Sequence, residues 1–308
     1  MKFNITRNTL IKADMQKVQS LVKDFKHWST WSPWTIAEPD CKMSSEGSPG
    51  QVGHQMSWDG EIIGSGMNTI EAISENQISY NLEFIKPFKS KAKTAFEFKK
   101  KEGGVEVTWT MDSSMPFFLF FMIPMMKAWI GMDYDRGLKM LKAMAEHGKV
   151  NAKTTNGGIT EFKGFSYVGI QRTARMDEIA KSMGPDFEKL TKDVQAKGLN
   201  PKHWVSLYPK FDMKSQMMTY IAAASVEDAE QVDMGSDYVA GSIKSGKMLE
   251  IKHDGSYEFL GNAWSMGMMY LRAKKMKQKP VPFEYYWNNP KETKEDELKT
   301  SIYFPVKG

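Results

Sequence analysis

Cysteine is almost missing from this 308-residue chain: Cys41 stands alone, which excludes an intrachain disulfide. The five histidines, His27, His54, His147, His203 and His253, fall at no metal-ligand spacing, so no metal and no other cofactor is expected. A G-x-S-x-G elbow is absent, and Gly60, Gly64 and Gly66 fail to complete a G-x-G-x-x-G phosphate cradle. Asp133 and Asp135 lie two apart on a predicted helix and so point to different sides, which rules them out as an acid/base pair. Charge of one sign is also scarce. The net charge is +5, with 19 basic against 17 acidic residues up to position 150 and 23 against 20 beyond it. Neither half concentrates the basic charge that sequence-independent phosphate binding requires, so no direct nucleic-acid partner is expected. The longest apolar run, Phe117 to Met126, is interrupted by Pro124 and falls short of the roughly 20 residues of a membrane helix. It reads as a buried lead-in to a helix, with no membrane insertion. The opening residues Met1 to Arg7 lack the apolar core of a signal peptide, and the expected compartment is the cytoplasm.

What is present suits two domains of about 150 residues each. The first half opens with an alternating strand around Phe3 and Ile5. An amphipathic helix follows, N-capped by Asp14 and carrying Val18, Leu21, Val22 and Phe25. After a tryptophan cluster (Trp28, Trp31, Trp34) and a loop from Ser44 to Gly53 come five strand-like runs between Val52 and Met111. Asp59-Gly60, Ser74-Glu75-Asn76, Pro87 and Gly103-Gly104 punctuate them, which is the rhythm of an antiparallel meander. A long helix with Met125, Trp129, Met132, Leu138, Leu141 and Met144 at helical spacing closes the half. On the last meander strand, alternation sends Val105, Val107, Trp109 and Met111 inward.

This order of elements resembles the SRPBCC or START-like superfamily, the helix-grip fold, and its polyketide cyclase-like branch in particular. The residues that carry the resemblance are Trp28, Trp31, Pro33 and Trp34, then Gly53 to Gly60 around Trp58, Pro87-Phe88, Val107-Thr-Trp109 and Gly137 to Lys142. It covers residues 1–148 and implies a cavity between the long helix and the curved sheet, lined in part by Trp58, Tyr80, Phe96 and Trp109.

Residues 149–162 are polar, glycine-bearing and without period, and read as a linker. From 163 to 308 the chain is written twice as strand, helix, strand, strand: first from Phe165 to Ser225, then from Lys247 to Pro305. With Phe283-Glu-Tyr-Tyr286, Asn288-Asn-Pro290, Glu295 to Leu298 and Thr300-Ser-Ile-Tyr-Phe-Pro-Val306, this second half resembles the GyrI-like effector-binding domain. Family members often carry a glutamate where Ser301 stands. No helix-turn-helix accompanies the domain.

Strand alternation puts Glu284 and Tyr286 on one face and Phe283, Tyr285 and Trp287 on the other. A carboxylate beside aromatic rings would meet a cationic or polar ligand. The resemblance implies such an acidic residue for lipophilic cations, and in some members a hydrolytic glutamate in an aromatic cage. Trp264, Tyr286 and Tyr303 complete the candidate site. The fold expected is therefore α+β, a helix-grip domain joined to a GyrI-like one. The function expected is non-catalytic binding or sensing of a small hydrophobic or amphipathic molecule. Its alternatives are a hydrolase using Glu284, a cyclase or lyase in the first domain, and a module that binds a protein partner.

Overall fold

The computed structural model describes residues 1–212 and 215–307. The chain divides into two compact units, the first from Met1 to Asn151 and the second from Ala152 onward.

In the first unit β1 (Lys2–Ile11) leads into three short helices, α1 (Met15–Lys23), α2 (Trp28–Trp31) and α3 (Pro33–Ala37). Six strands follow: β2 (Lys42–Glu46), β3 (Gln55–Asp59), β4 (Ser65–Ile73), β5 (Gln77–Lys86), β6 (Ser90–Lys101) and β7 (Gly104–Ser114). The long α4 (Ile123–His147) ends the unit. The antiparallel sheet runs β1-β7-β6-β5-β4-β3-β2, with Ile5 opposite Met111 where β1 returns to β7. Strand β2 occupies part of the stretch that reads as loop in the sequence. The expected alternation on β7 is present, since Val105, Val107, Trp109 and Met111 are all buried.

Helix α4 lies along β1 and the short helices. Gly137 lets it do so, because a Cβ there would sit 2.7 Å from the Trp109 ring and 3.2 Å from Pro33. Its buried face carries Tyr134, Leu138 and Leu141. The approach to α4 departs from the expected buried lead-in: from Phe117 to Met122 the chain forms a 3-10 turn with no buried residue.

The second unit contains β8 (Ala152–Phe162), β9 (Phe165–Arg175), α5 (Ile179–Ala196), β10 (His203–Asp212) and β11 (Met217–Ser225). The same order returns as β12 (Val239–Ile243), β13 (Gly246–Gly255), α6 (Gly261–Ala273), β14 (Phe283–Tyr286) and β15 (Lys299–Pro305). The segment expected to be a linker is thus largely strand β8, which pairs with β13 from Ala152 to Phe162. Its polar composition is that of an edge strand, with Asn156, Gly157 and Gly158 near a register shift.

The sheet order is β12-β9-β11-β10-β14-β15-β13-β8. Each repeat therefore gives its first strand to the other's half of the sheet. Only Lys163 and Gly164 join β8 to β9, and only Lys244 and Ser245 join β12 to β13. On a flat sheet each pair would be six strand spacings apart, ~29 Å, whereas such a connection reaches only ~11 Å. The sheet must curl until its ends meet. Phe162 of β8 accordingly stands 6.0 Å from Phe165 of β9 and 5.4 Å from Phe283 of β14, ring to ring. Gly164 turns at φ +74°, and a Cβ there would lie 2.5 Å from the Ile243 carbonyl of the other crossing.

The concave face holds Val205, Leu207, Ile221, Met248, Phe283, Tyr285 and Tyr303 as one apolar cluster. The convex face carries the helices, α5 over β9 and β11 and α6 over β13, β15 and β8. Under α5, Asp186 accepts hydrogen bonds from Arg172 Nε at 2.8 Å and from the Tyr220 hydroxyl at 2.6 Å. Burial alone would raise its pKa, but these hydrogen bonds prevail and hold it below the ordinary carboxylate value.

Two outcomes follow from this architecture. A fragment of residues 152–308 should unfold cooperatively, whereas 163–308, which leaves the β8 side of the long β13 unpaired, should melt lower or aggregate; thermal scans of both decide. Replacing Asp186 with Ala should cost roughly 1–3 kcal/mol at neutral pH in urea titrations. Since folding depresses this carboxyl, its contribution is complete above the unfolded value near 3.8 and is lost as pH falls through the folded value. The gap between wild type and variant should narrow in acid.

Candidate functional site

The expected cavity of the first unit meets a different arrangement. Tyr80 and Phe96 are 0% exposed and Trp109 1%, so all three are buried in the core. The rings pack on each other: Phe96 stacks on Trp109 at 4.7 Å, and Trp109 stacks on Tyr134 at 3.8 Å. Trp28 and Trp31 close the cluster edge-on. Every polar handle is used. Trp109 Nε1 donates to Thr94 Oγ1 at 2.9 Å, and the Tyr80 hydroxyl and Trp28 Nε1 both donate to the Val22 carbonyl. Trp58 stays half-buried on β3 against Phe84, 6.1 Å away. Three of the four proposed cavity residues are therefore packed core, and Trp58 stands apart from them. His54, which might have suggested chemistry, is held between Ser45 Oγ at 2.8 Å and the Gly50 amide at 3.2 Å.

In the second unit one helix covers each half of the convex face, and the central pair β10 and β14 lies between them. Ser206 of β10 faces Glu284 of β14 in register. Glu284 is 4% exposed. Its Oε1 accepts from Trp264 Nε1 on α6 at 2.6 Å, and its Oε2 from the Tyr286 hydroxyl at 2.5 Å. The Tyr208 hydroxyl supplies a third hydrogen bond. The walls are aromatic: Tyr208 meets Trp264 edge-on at 5.0 Å, and Phe187 of α5 and Tyr257 each stand 5.8 Å from Tyr286. Ser206 Oγ lies 2.8 Å from the Tyr286 hydroxyl and 3.3 Å from Met183 Sδ on α5. Deeper on the same face, His253 Nδ1 is buried without a hydrogen-bond partner among the described residues.

Burial raises the pKa of Glu284, opposed by the hydrogen bonds from Tyr286, Trp264 and Tyr208. Desolvation and the neighbouring carboxylate push the Tyr208 and Tyr286 hydroxyls well above the ordinary tyrosine value, so both remain protonated donors. Among the described residues, the groups that hold this carboxylate, Tyr286, Trp264 and Tyr208, are all uncharged.

Of the residues singled out in this half, Glu284, Tyr286 and Trp264 come together. Tyr303 does not. It pairs with Phe283 across the β14–β15 ladder and so points to the concave face. There its hydroxyl donates to Glu250 Oε1 at 2.9 Å, and Ser301 Oγ donates to the same oxygen at 2.8 Å. The carboxylate of Glu250, on the neighbouring strand, thus stands beside position 301, where the family resemblance leads one to expect a glutamate. Sequence reasoning missed Glu250, Tyr208 and Ser206, because each reaches its partner through strand pairing. Tyr208 had a usable signal, standing with Ser206 on one face of a predicted strand. Among the described residues no cluster of His, Cys, Asp and Glu could hold a metal ion.

Comparison with known families agrees with this division. Residues 2–146 match the family described as polyketide cyclase / dehydrase and lipid transport. Residues 158–307 match the GyrI-like small molecule binding domain. No curated protein matches the chain. Among solved structures, the EcmrR C-terminal domain is 18% identical, with 51% of this chain and 98% of that one covered and a TM-score of 0.42. The structure of SAV2435 bound to tetraphenylphosphonium is 17% identical over 50% of this chain and 94% of its own, TM-score 0.40. The Aha1 dimer from Colwellia psychrerythraea is 18% identical over 48% and 99%, TM-score 0.36. Likeness at this level says nothing of what this chain binds. The chain therefore joins a domain of the polyketide cyclase / dehydrase and lipid transport family to a GyrI-like small molecule binding domain.

Proposed function

We propose that the Glu284 site, where side chains of α5 and α6 meet β10 and β14, binds a small amphipathic molecule with a cationic centre, without chemical conversion. Glu284 is the countercharge, and Trp264, Tyr208 and Tyr286 are the surfaces on which the apolar part lies. The observation that carries this reading is a carboxylate 4% exposed that, among the described residues, is held by the neutral donors Tyr286, Trp264 and Tyr208 and makes no ion pair. A buried charge without a counterion is costly, and a cation entering beside it recovers direct attraction in a medium of low polarity. The ring faces add cation–π attraction. Both carboxylate oxygens already accept short hydrogen bonds, which makes the group a better fixed charge than a base or nucleophile.

The first domain enters this reading as a scaffold built on the Trp109 cluster. The probes that separate charge recognition from simple hydrophobic uptake are tetraphenylphosphonium and tetraphenylborate, equal in shape and opposite in sign. Calorimetric titration should show the cation binding and the borate binding weakly or not at all. Glu284→Gln should weaken the cation at least about tenfold, a loss of about 1.4 kcal/mol, while leaving the fold intact. Equal affinity for both ions, or an unchanged affinity in the Gln variant, would remove Glu284 from the site.

A second outcome concerns the donors. Tyr286→Phe leaves one carboxylate oxygen short of a partner, so stability at neutral pH should fall by roughly 1–3 kcal/mol. Because burial raises the Glu284 pKa, the carboxyl is neutral in acid and the loss should shrink there. Urea titrations at two pH values would show it, and a pH-independent loss would mean that Tyr286 acts through packing alone.

A further inference from the structure

The approach to α4 is an apolar segment with no buried residue. Phe117 is 76% exposed, Phe118 70%, Phe121 66% and Phe120 51%. Their ring contacts are with one another: Phe117 stacks on Phe120 at 6.2 Å, and Phe120 meets Phe121 at 6.3 Å. The sheet register brings a fifth ring to the same end. Ala92 pairs with Ser113 and Ser90 with Phe84, so the β5–β6 turn projects beside the end of β7, where the chain enters this segment. Phe88, at the tip of that turn, is 78% exposed. Each such side chain left in water forgoes the free energy of burying its apolar surface. Exposed apolar rings gathered at one end of a domain mark an interaction surface.

Charge identifies the occupant. Between Met115 and Met132 the chain has a single charged residue, Lys127. The rim around the rings is basic: Lys2 pairs in register with Ser114, Lys89 follows Phe88, and Lys127 follows the apolar run. None of these three lysines makes an ion pair among the described residues, whereas Lys86 and Lys91 of the same turn are tied to Asp59 and Glu83. Protein interfaces are depleted in lysine. A surface of aromatic rings bordered by free lysines instead complements an anionic bilayer, where rings enter the acyl boundary and ammonium groups meet the headgroups.

We infer that the end of the first domain formed by Phe88 and Phe117–Phe121 docks on an anionic lipid surface. The contact is peripheral. The helical stretch Phe117–His147 is long and apolar enough to cross a membrane by length and composition. Its later part cannot leave the domain, because Gly131, Tyr134, Gly137, Leu138 and Leu141 are core.

The full chain would be sedimented with vesicles of phosphatidylcholine alone and of phosphatidylcholine mixed with phosphatidylserine. Wild type should bind the mixed vesicles about tenfold more tightly or better, given the worth of each lysine near such a surface. The triple change Phe117→Ser, Phe118→Ser, Phe121→Ser should abolish binding to both, and Lys89→Glu with Lys127→Glu should remove the preference for the anionic lipid. All these positions are exposed, and an unchanged thermal midpoint will confirm intact folding. Absence of wild-type binding to either vesicle, or equal binding by the triple variant, overturns the inference. So does self-association of the wild type through these phenylalanines without vesicle binding, which assigns the patch to a second copy.

Discussion

Two connections of two residues each govern the second domain. Lys163-Gly164 and Lys244-Ser245 must carry the chain between opposite ends of an eight-stranded sheet, and that is possible only if the sheet curls. Curling packs the concave face onto itself, with Phe162, Phe165, Phe283 and Tyr303 in mutual ring contact. It also spreads the convex face. One helix per repeat then covers each flank, and the central pair β10 and β14 faces the space between α5 and α6. Glu284 and Tyr286 stand there because topology leaves that strand pair between the helices.

Electrostatics decide what such a place can do. A carboxylate taken out of water needs either a counterion or a set of donors. Glu284 has donors, from Trp264, Tyr286 and Tyr208, and each is anchored on a different element. Glu250, on the other face, is held by Ser301 and Tyr303 with Lys252 4.0 Å away. Among the described residues the two carboxylates therefore differ in kind: Glu250 has a cation at hand and Glu284 does not.

Much of this was legible in the sequence. The duplicated element order, the inward face of β7, and the separation of Glu284 and Tyr286 from Phe283 and Tyr285 all follow from periodicity. The errors share a cause. Alternation says which residues of one strand share a face, but the pairing of strands says which faces coincide. Tyr303 lies opposite Phe283, one step from Glu284, and that single step sends it to the concave side. Strand β8 read as a linker because an edge strand with one face in water can be polar and glycine-bearing. Tyr80, Phe96 and Trp109 read as cavity lining because the family resemblance implies a cavity, and a likeness of element order cannot distinguish rings around a space from rings stacked on each other. The run at Phe117 read as buried because hydrophobicity alone carries no information about neighbours.

The central claim is that Glu284 is an uncompensated charge awaiting a cation, and its own titration tests that most directly. With carboxyl-labelled glutamate, the Glu284 carbon resonance would be followed against pH in the free protein and with tetraphenylphosphonium present. The account predicts a free-state pKa above the ordinary value of 4.5 that moves down when the cation binds, with proton release on binding between the two values. A pKa that is ordinary from the start, or one that the cation leaves in place, would contradict it.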